Sequence, residues 1–367
     1  MSYKIHMAGR DDPRTLLQID RLYKWQHGKE FSPATVEISP TNACNQKCSY
    51  CYAWRESTAR HALCDDILVN SLDQLADAGV GGVIFQGTGE PLLHKALPSA
   101  IRRGAERSLP MQLSTNGVLL SGKLQDEILQ HLFYLRISVV DSDPALYAEQ
   151  HGCPENQWQT LVANLERTMA IRAQRGFSFG CSATVYLSDN NLGSLYESVK
   201  LCKELGIDFV YVTEALHTSY SPSGKKDQSS KLLPIEQIEQ ETGKILSLID
   251  ENFFVKIKFQ ATDEILAGRN KESWVDNYCQ GIKFYTLIDC DGEVYPCWRC
   301  WGDKKYSFGS LYEKSFTDIW QGEKRKEIEK LIMATPPDGD QCSVCTICLL
   351  NNMLSKVTNS TKWVNFL

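Results

Sequence analysis

The run Thr41-Asn42-Ala43-Cys44-Asn45-Gln46-Lys47-Cys48-Ser49-Tyr50-Cys51 sets three thiols at C-x3-C-x2-C spacing, just after a short apolar strand, Thr35–Ser39. Three thiolates on one tight loop can hold three irons of a [4Fe–4S] cluster and leave the fourth iron without a protein ligand. An open iron is what a redox centre needs if another molecule must bind the metal directly. Zinc is the bland alternative, but zinc loops favour C-x2-C pairs completed by a fourth Cys or His. Chance spacing is the other, because the chain has 14 cysteines.

Outward from this loop, strands and helices alternate. Apolar strand candidates are Thr35–Ser39, Gly82–Gln86, Met111–Ser114, Leu135–Val140, Ser178–Tyr186 and Phe209–Val212. Amphipathic helical stretches lie between them at Asp66–Ala78, Leu97–Arg107, Lys123–His131, Trp158–Arg175 and Leu195–Leu205. Such a series argues for an α/β fold, a parallel sheet with crossover helices curled into a full or partial barrel. In parallel barrels the reactive groups gather at the C-terminal strand ends. The cysteine triplet falls there.

The chain of 367 residues is long for one domain and suits a large domain plus a smaller one. A net charge of −6 does not suggest an electrostatic nucleic-acid binder. No apolar run suits a signal core or a bilayer span, so the expected location is the cytoplasm, with no membrane partner. Without export, the cysteines read as metal ligands or free thiols rather than a disulfide framework.

A polar N-terminal stretch carries one helical segment around Thr15–Gln26. Later, Ser219–Lys231 reads as a mobile loop, followed by a helix over Ile235–Ile249. Phe284–Ile288 and Glu293–Pro296 flank Asp291-Gly292, a strong hairpin signal. Cysteines then crowd the tail. With a boundary placed near 255–275, the expected domains are 1–33, 34–265 and 266–367.

The triplet, with the aromatic Tyr50 before its third cysteine, resembles the radical S-adenosylmethionine (SAM) superfamily, whose usual core is a partial (β/α)6 TIM-like barrel. In that family the aromatic residue sits against adenine. Gly87-Thr88-Gly89-Glu90-Pro91 resembles the family's Gly-Gly-Glu-Pro element, which holds the methionine ammonium; Thr88 replaces the first glycine. Glycine admits close backbone approach, and a carboxylate complements the amine. Ser114 and Asn116, ending the third strand, and Ser138, ending the fourth, occupy positions of polar contacts to SAM in relatives. Thr115-Asn116-Gly117 reads equally as a plain strand-ending turn. Many relatives bind the SAM carboxylate with an arginine where this chain has His151.

The tail resembles the SPASM/Twitch extension of these enzymes, which encloses an auxiliary [4Fe–4S] cluster. Cys279 is followed by Gly292 and Cys297, then by Cys342-x2-Cys345-x2-Cys348. The single-cluster Twitch form fits better than the seven-cysteine pattern. Cys279 and Cys297 supply two ligands, and Cys345 with either Cys342 or Cys348 the others. A zinc ribbon is the rival, with Cys290 and Cys300 adding ambiguity.

The resemblance implies reductive SAM cleavage and hydrogen abstraction from an unactivated C–H bond, with electrons from a donor such as flavodoxin or ferredoxin. Glu214 and His217, past the sixth strand, are candidates for substrate binding or base chemistry. The expected substrate is a small polar metabolite (sugar, aminocyclitol or nucleoside-like) that is dehydrogenated or epimerised. About 33 residues before the first strand are too few for the leader-binding domain of many peptide-modifying relatives. The alternative is a peptide maturase, an epimerase or crosslinking enzyme. A non-catalytic Fe–S or zinc scaffold is the rival from another class.

Overall fold

A computed structural model describes residues 18–51, 59–138, 141–187, 191–214, 235–258, 279–334, 350–351 and 354. After a first helix α1 (Ile19–Gln26), parallel strands alternate with helices. The strands are β1 (Thr35–Ile38), β2 (Val83–Phe85), β3 (Met111–Thr115), β4 (Tyr134–Ser138), β5 (Gly180–Leu187), β6 (Phe209–Glu214) and β7 (Phe254–Lys258). The helices between them are α2 (Asp65–Asp77), α3 (Leu97–Glu106), α4 (Gly122–Ile128), α5 (Pro144–His151), α6 (Asn156–Arg175), α7 (Leu195–Glu204) and α8 (Ile235–Leu246). The tail adds β8 (Tyr285–Ile288), β9 (Glu293–Tyr295) and β10 (Gly309–Ser310), then α9 (Phe316–Gln321) and α10 (Glu323–Ala334). The sheet order is β10-β9-β8-β1-β2-β3-β4-β5-β6-β7.

Strand periodicity divides the sheet into two faces. Val36 and Ile38, Val83 and Phe85, Met111 and Leu113, and Leu135 and Ile137 are buried in one apolar cluster with Leu68, Leu72 and Leu75 of α2 and Leu97 and Ile101 of α3. The residues between them, among them Glu37, Gln112, Ser114, Arg136 and Ser138, face the other way. That face is concave. In a flat sheet β1 and β5 stand about 19 Å apart. Yet the ring of Tyr50, on the loop after β1, lies 4.6 Å from that of Tyr186 on β5, and the charge of Arg136 on β4 acts on Glu37.

The partial barrel expected from the strand–helix alternation is present, with three differences. β7 occupies the stretch read as a boundary, because Phe254-Val255-Lys256-Ile257-Lys258 alternates apolar and cationic residues instead of forming a continuous apolar run. The tail hairpin is not a separate sheet. β8 pairs with β1 in parallel from Thr35↔Tyr285 to Ile38↔Ile288, so tail and barrel share one hydrogen-bonded layer. Finally, α5 has a weak apolar pattern, but its ends are well marked. Asp143 caps it by accepting from the backbone N–H groups of Ala145 and Leu146, Pro144 opens it, and Gly152 ends it in the left-handed region at φ +54°.

Candidate active site and cluster loops

The cysteine loop leaves the C-terminal end of β1 and lies over the end of α5. The backbone N–H of Lys47 donates to the carbonyl of His151, and that of Ser49 to Gln150, each at 2.9 Å. These are carbonyls that a helix C-terminus leaves unsatisfied, so helix and loop complete each other. Gly152 permits the approach: a Cβ there would sit 2.6 Å from the Lys47 carbonyl oxygen.

Beneath the loop lies a buried polar chain. Gln46 donates to the Tyr147 hydroxyl and to Gln157 Oε1, both at 3.0 Å. Its own Oε1 accepts from His151 Nδ1–H at 2.6 Å. The same N–H is 3.4 Å from Cys48 Sγ, and Nε2 faces the Tyr50 hydroxyl at 3.4 Å. Burial pushes the His151 pKa down to about 3. The imidazole is therefore neutral and supports Cys48 from behind, bringing no cation to a carboxylate. Tyr50 packs on Tyr186 and His151.

On its other side the loop meets the turn after β2. Glu90 N–H donates to the Ala43 carbonyl at 2.8 Å, and a Cβ on Gly89 would sit 2.2 Å from that oxygen. Only glycine lets the two backbones touch. Thr88, the departure from the family pattern, is buried with its hydroxyl 2.9 Å from that of Ser39, which also accepts from Thr88 N–H. Glu90 is buried. Its Oε1 accepts from the Thr115 hydroxyl at 2.6 Å and from Leu92 N–H, and its Oε2 from Asn116 N–H at 2.9 Å. Burial raises its pKa, and these three bonds oppose the rise. Four acceptor directions less three bonds leave one, on Oε2, for a ligand donor.

Asn116 donates from its side chain to Asn45 Oδ1 at 2.8 Å and accepts from Val118 N–H. Its amide ties the end of β3 to the cysteine loop. Ser114 and Ser138 lie half-buried on the concave face. Glu214 ends β6; His217 lies outside the described residues.

In the tail, Cys279 is half-buried, and Cys290, Cys297 and Cys300 are buried. Cys297 and Cys300 form a knuckle with the sulfurs 3.8 Å apart and Cys300 N–H donating to the Cys297 carbonyl at 3.1 Å. The Cys300 side chain is the main influence holding the Cys297 thiol below its ordinary range. Cys290 follows the end of β8 beside Thr88, and burial pushes its thiol up to about 12. Cys342, Cys345 and Cys348 lie outside the described residues. His61 links the tail to the cysteine loop. His61 Nδ1 is 2.6 Å from Asp291 Oδ1, while His61 and Asn42 exchange bonds through His61 N–H to Asn42 Oδ1 and Asn42 N–H to the His61 carbonyl.

The donor set suits iron–sulfur clusters. Cys44, Cys48 and Cys51 are close enough for their charges to oppose one another, and burial pushes Cys44 up to about 11 and Cys48 higher. Ionising them requires the positive charge of a metal centre. Among the described residues no three or more His, Cys, Asp or Glu side chains converge on a point as a single ion requires. A cluster takes one thiolate per iron and needs no such convergence.

Sequence comparisons agree with this chemistry. Residues 38–202 match the Radical SAM superfamily and residues 279–348 the SPASM iron–sulfur cluster-binding domain. The chain carries a radical SAM domain and a SPASM domain; its cofactors are a [4Fe–4S] cluster, an auxiliary iron–sulfur cluster and SAM. It is 25% identical to the pre-heme d1 synthase of Dinoroseobacter shibae over 83% of this chain and 77% of that one. It is 24% identical to the PqqA peptide cyclase of Granulibacter bethesdensis over 77% of this chain and 72% of the relative. Its fold matches Streptococcus suis SuiB bound to precursor peptide SuiA with a TM-score of 0.65, over 95% of this chain and 78% of that one, at 19% identity. Among the described residues no helix is long and apolar enough to cross a membrane.

Proposed function

We infer that this radical SAM enzyme removes hydrogen from an unactivated C–H bond of a peptide or protein side chain. The observation that carries the reading is kinship spanning both barrel and tail: 77% of the chain aligns with a peptide cyclase. A fold shared with a peptide-bound protein over 95% of the chain is consistent with it. The peptide alternative thus displaces the small metabolite as first reading. The metabolite remains the second, favoured by the alignment over 83% of the chain with pre-heme d1 synthase and by the polar concave face.

In this reading Cys44, Cys48 and Cys51 hold the first cluster. With that cluster and SAM bound, the site supplies one-electron cleavage of SAM to methionine and a 5′-deoxyadenosyl radical. Glu90 offers its remaining acceptor direction to the methionine ammonium, with Gly87, Thr88 and Gly89 shaping the turn. Tyr50, Ser114 and Ser138 border SAM, whereas Asn116 and His151 act on the loop. Cys279 and Cys297 join Cys345 and either Cys342 or Cys348 at the auxiliary cluster. The barrel occupies 34–265 and the tail 266–367. An external one-electron donor completes the system. Glu214 and His217, at and just past the end of β6 in the sequence, are the candidates for substrate binding or base chemistry.

The test is anaerobic co-production with any short peptide encoded beside the gene. A SAM-dependent mass change confined to one peptide residue is the expected result. The peptide reading fails if every such peptide stays unmodified while a carboxylated or polar metabolite stimulates 5′-deoxyadenosine formation.

A further inference from the structure

Two charged side chains stand on the concave face without completing each other. Glu37, on β1, is 2% exposed. The Tyr285 hydroxyl donates to its Oε2 at 2.6 Å, while its Oε1 is buried with no hydrogen-bond partner. Arg136, on β4, is half-buried between Leu135 and Ile137, which point to the helices at 0% exposure. Its Nε donates to the Thr184 hydroxyl at 3.0 Å, and its guanidinium lies 5.5 Å from the centre of the Tyr211 ring. Among the described residues no carboxylate lies within ion-pair distance of Arg136, and none of them accepts from its terminal N–H groups.

An interior charge left incompletely paired costs several kcal/mol. Here the guanidinium edge is left open, while Glu37, on the same face and near enough for the two charges to interact, is covered by Tyr285, Trp298 and Gln86. Arg136 is fixed by Thr184 and Tyr211, so it presents a preformed fork. A planar fork of this kind matches a carboxylate. Ser138 is two residues further along β4 on the same face, about 7 Å towards the strand end. That puts Arg136 just inside the rim where SAM is placed above.

We propose that the concave face at Arg136 is the substrate pocket and that Arg136 binds a substrate carboxylate there. This rests on the reading of the barrel as the reaction chamber. The carboxylate comes from an acidic peptide side chain or from a carboxylated metabolite, and the chemistry at Arg136 is the same for both. Trp298, beside Cys297 in the tail, is among the side chains that favour the ionised Glu37. With Tyr285 and Gln86 it covers that carboxyl.

The test uses reconstituted holoenzyme with SAM and four probes. N-acetylglutamate amide carries a peptide-like side-chain carboxylate and glutarate a free small one; N-acetylglutamine amide and glutaramide are their neutral partners. Protection of Arg136 from phenylglyoxal, read by mass spectrometry, and equilibrium dialysis report occupancy. The acids should bind at least tenfold more tightly than the amides, and Arg136→Gln should abolish that preference. A tighter acetylglutamate amide indicates a peptide source, and a tighter glutarate a metabolite. If Arg136→Gln fails to load iron, Arg136→Lys decides, because it keeps the charge and loses the fork; its acid preference should fall at least threefold. An acid preference unchanged in whichever variant loads, or absent from the parent, overturns the pocket. Modification of a peptide by an enzyme lacking that preference would keep the peptide reading and lose only the pocket.

Discussion

The cysteine loop of the barrel and the cysteine knuckle of the tail share one closing bond, Cys51 N–H to the Cys48 carbonyl and Cys300 N–H to the Cys297 carbonyl, each at 3.1 Å. The two differ in what holds them from outside. The loop leans on groups remote in sequence: its Lys47 and Ser49 N–H groups donate to the end of α5, and its Ala43 carbonyl accepts from Glu90 N–H in the turn after β2. The knuckle arrives as a unit on a hairpin that extends the barrel sheet at β1. A site assembled from distant parts should depend on them, and the knuckle should depend on its ligands and its hairpin.

The largest effect tests whether the two sets are separate. Replacing Cys44, Cys48 and Cys51 together by alanine should remove about four irons per chain and reduce SAM cleavage to the uncatalysed background. Iron analysis and 5′-deoxyadenosine release measure both. Retention of the full iron content would mean that the loop is not a cluster ligand. Next comes the reverse removal, Cys279→Ala with Cys297→Ala. It should also cost about four irons, yet 5′-deoxyadenosine should still form with dithionite while substrate turnover is lost. Metal binding and folding are coupled, so limited proteolysis must show the tail intact. A folded double variant with parental turnover would separate the tail from the chemistry.

A smaller change asks whether the loop leans on α5 as its hydrogen bonds imply. Gly152→Ala forces a side chain into the left-handed backbone, costing about 1–2 kcal/mol, and sets its Cβ against the Lys47 carbonyl oxygen at 2.6 Å. Iron should be lost from the barrel site alone, with the auxiliary cluster signal retained by electron paramagnetic resonance. Equal loss from both sites would make the effect one of global stability.

The same contrast explains what was legible in the sequence. The triplet, the Gly87–Pro91 turn and the Asp291-Gly292 hairpin are local patterns, and they sit where a strand-end reading puts them. The support beneath Cys48 was not legible, because Gln46 meets Tyr147, His151 and Gln157 across separations of 101, 105 and 111 residues. His151 looked like a substitute for an arginine; burial, invisible in the sequence, makes it neutral. Glu37 and Arg136 did leave a trace. Each is a charge inside an otherwise apolar strand, but only the curl of the sheet sets them near one another.

The smallest effect concerns the seam where the two regions meet, at Glu37. Burial raises its carboxyl from 4.5 to about 7. A carboxyl with a raised folded-state pKa binds its proton more tightly in the folded protein. Its contribution to stability is full below the unfolded value, declines as pH rises through this interval, and is flat above the folded value. Glutamine cannot titrate, yet it keeps an acceptor for Tyr285 and offers donors to the buried surroundings. Relative to the parent, Glu37→Gln should therefore gain about 2 kcal/mol on passing from about pH 5.5 to about pH 8. Anaerobic urea unfolding of the reconstituted proteins at both pH values measures this difference, and most other titrations cancel between parent and variant. Parallel curves would mean that Glu37 ionises in the fold as it does in water. The tail would then leave the seam open to solvent.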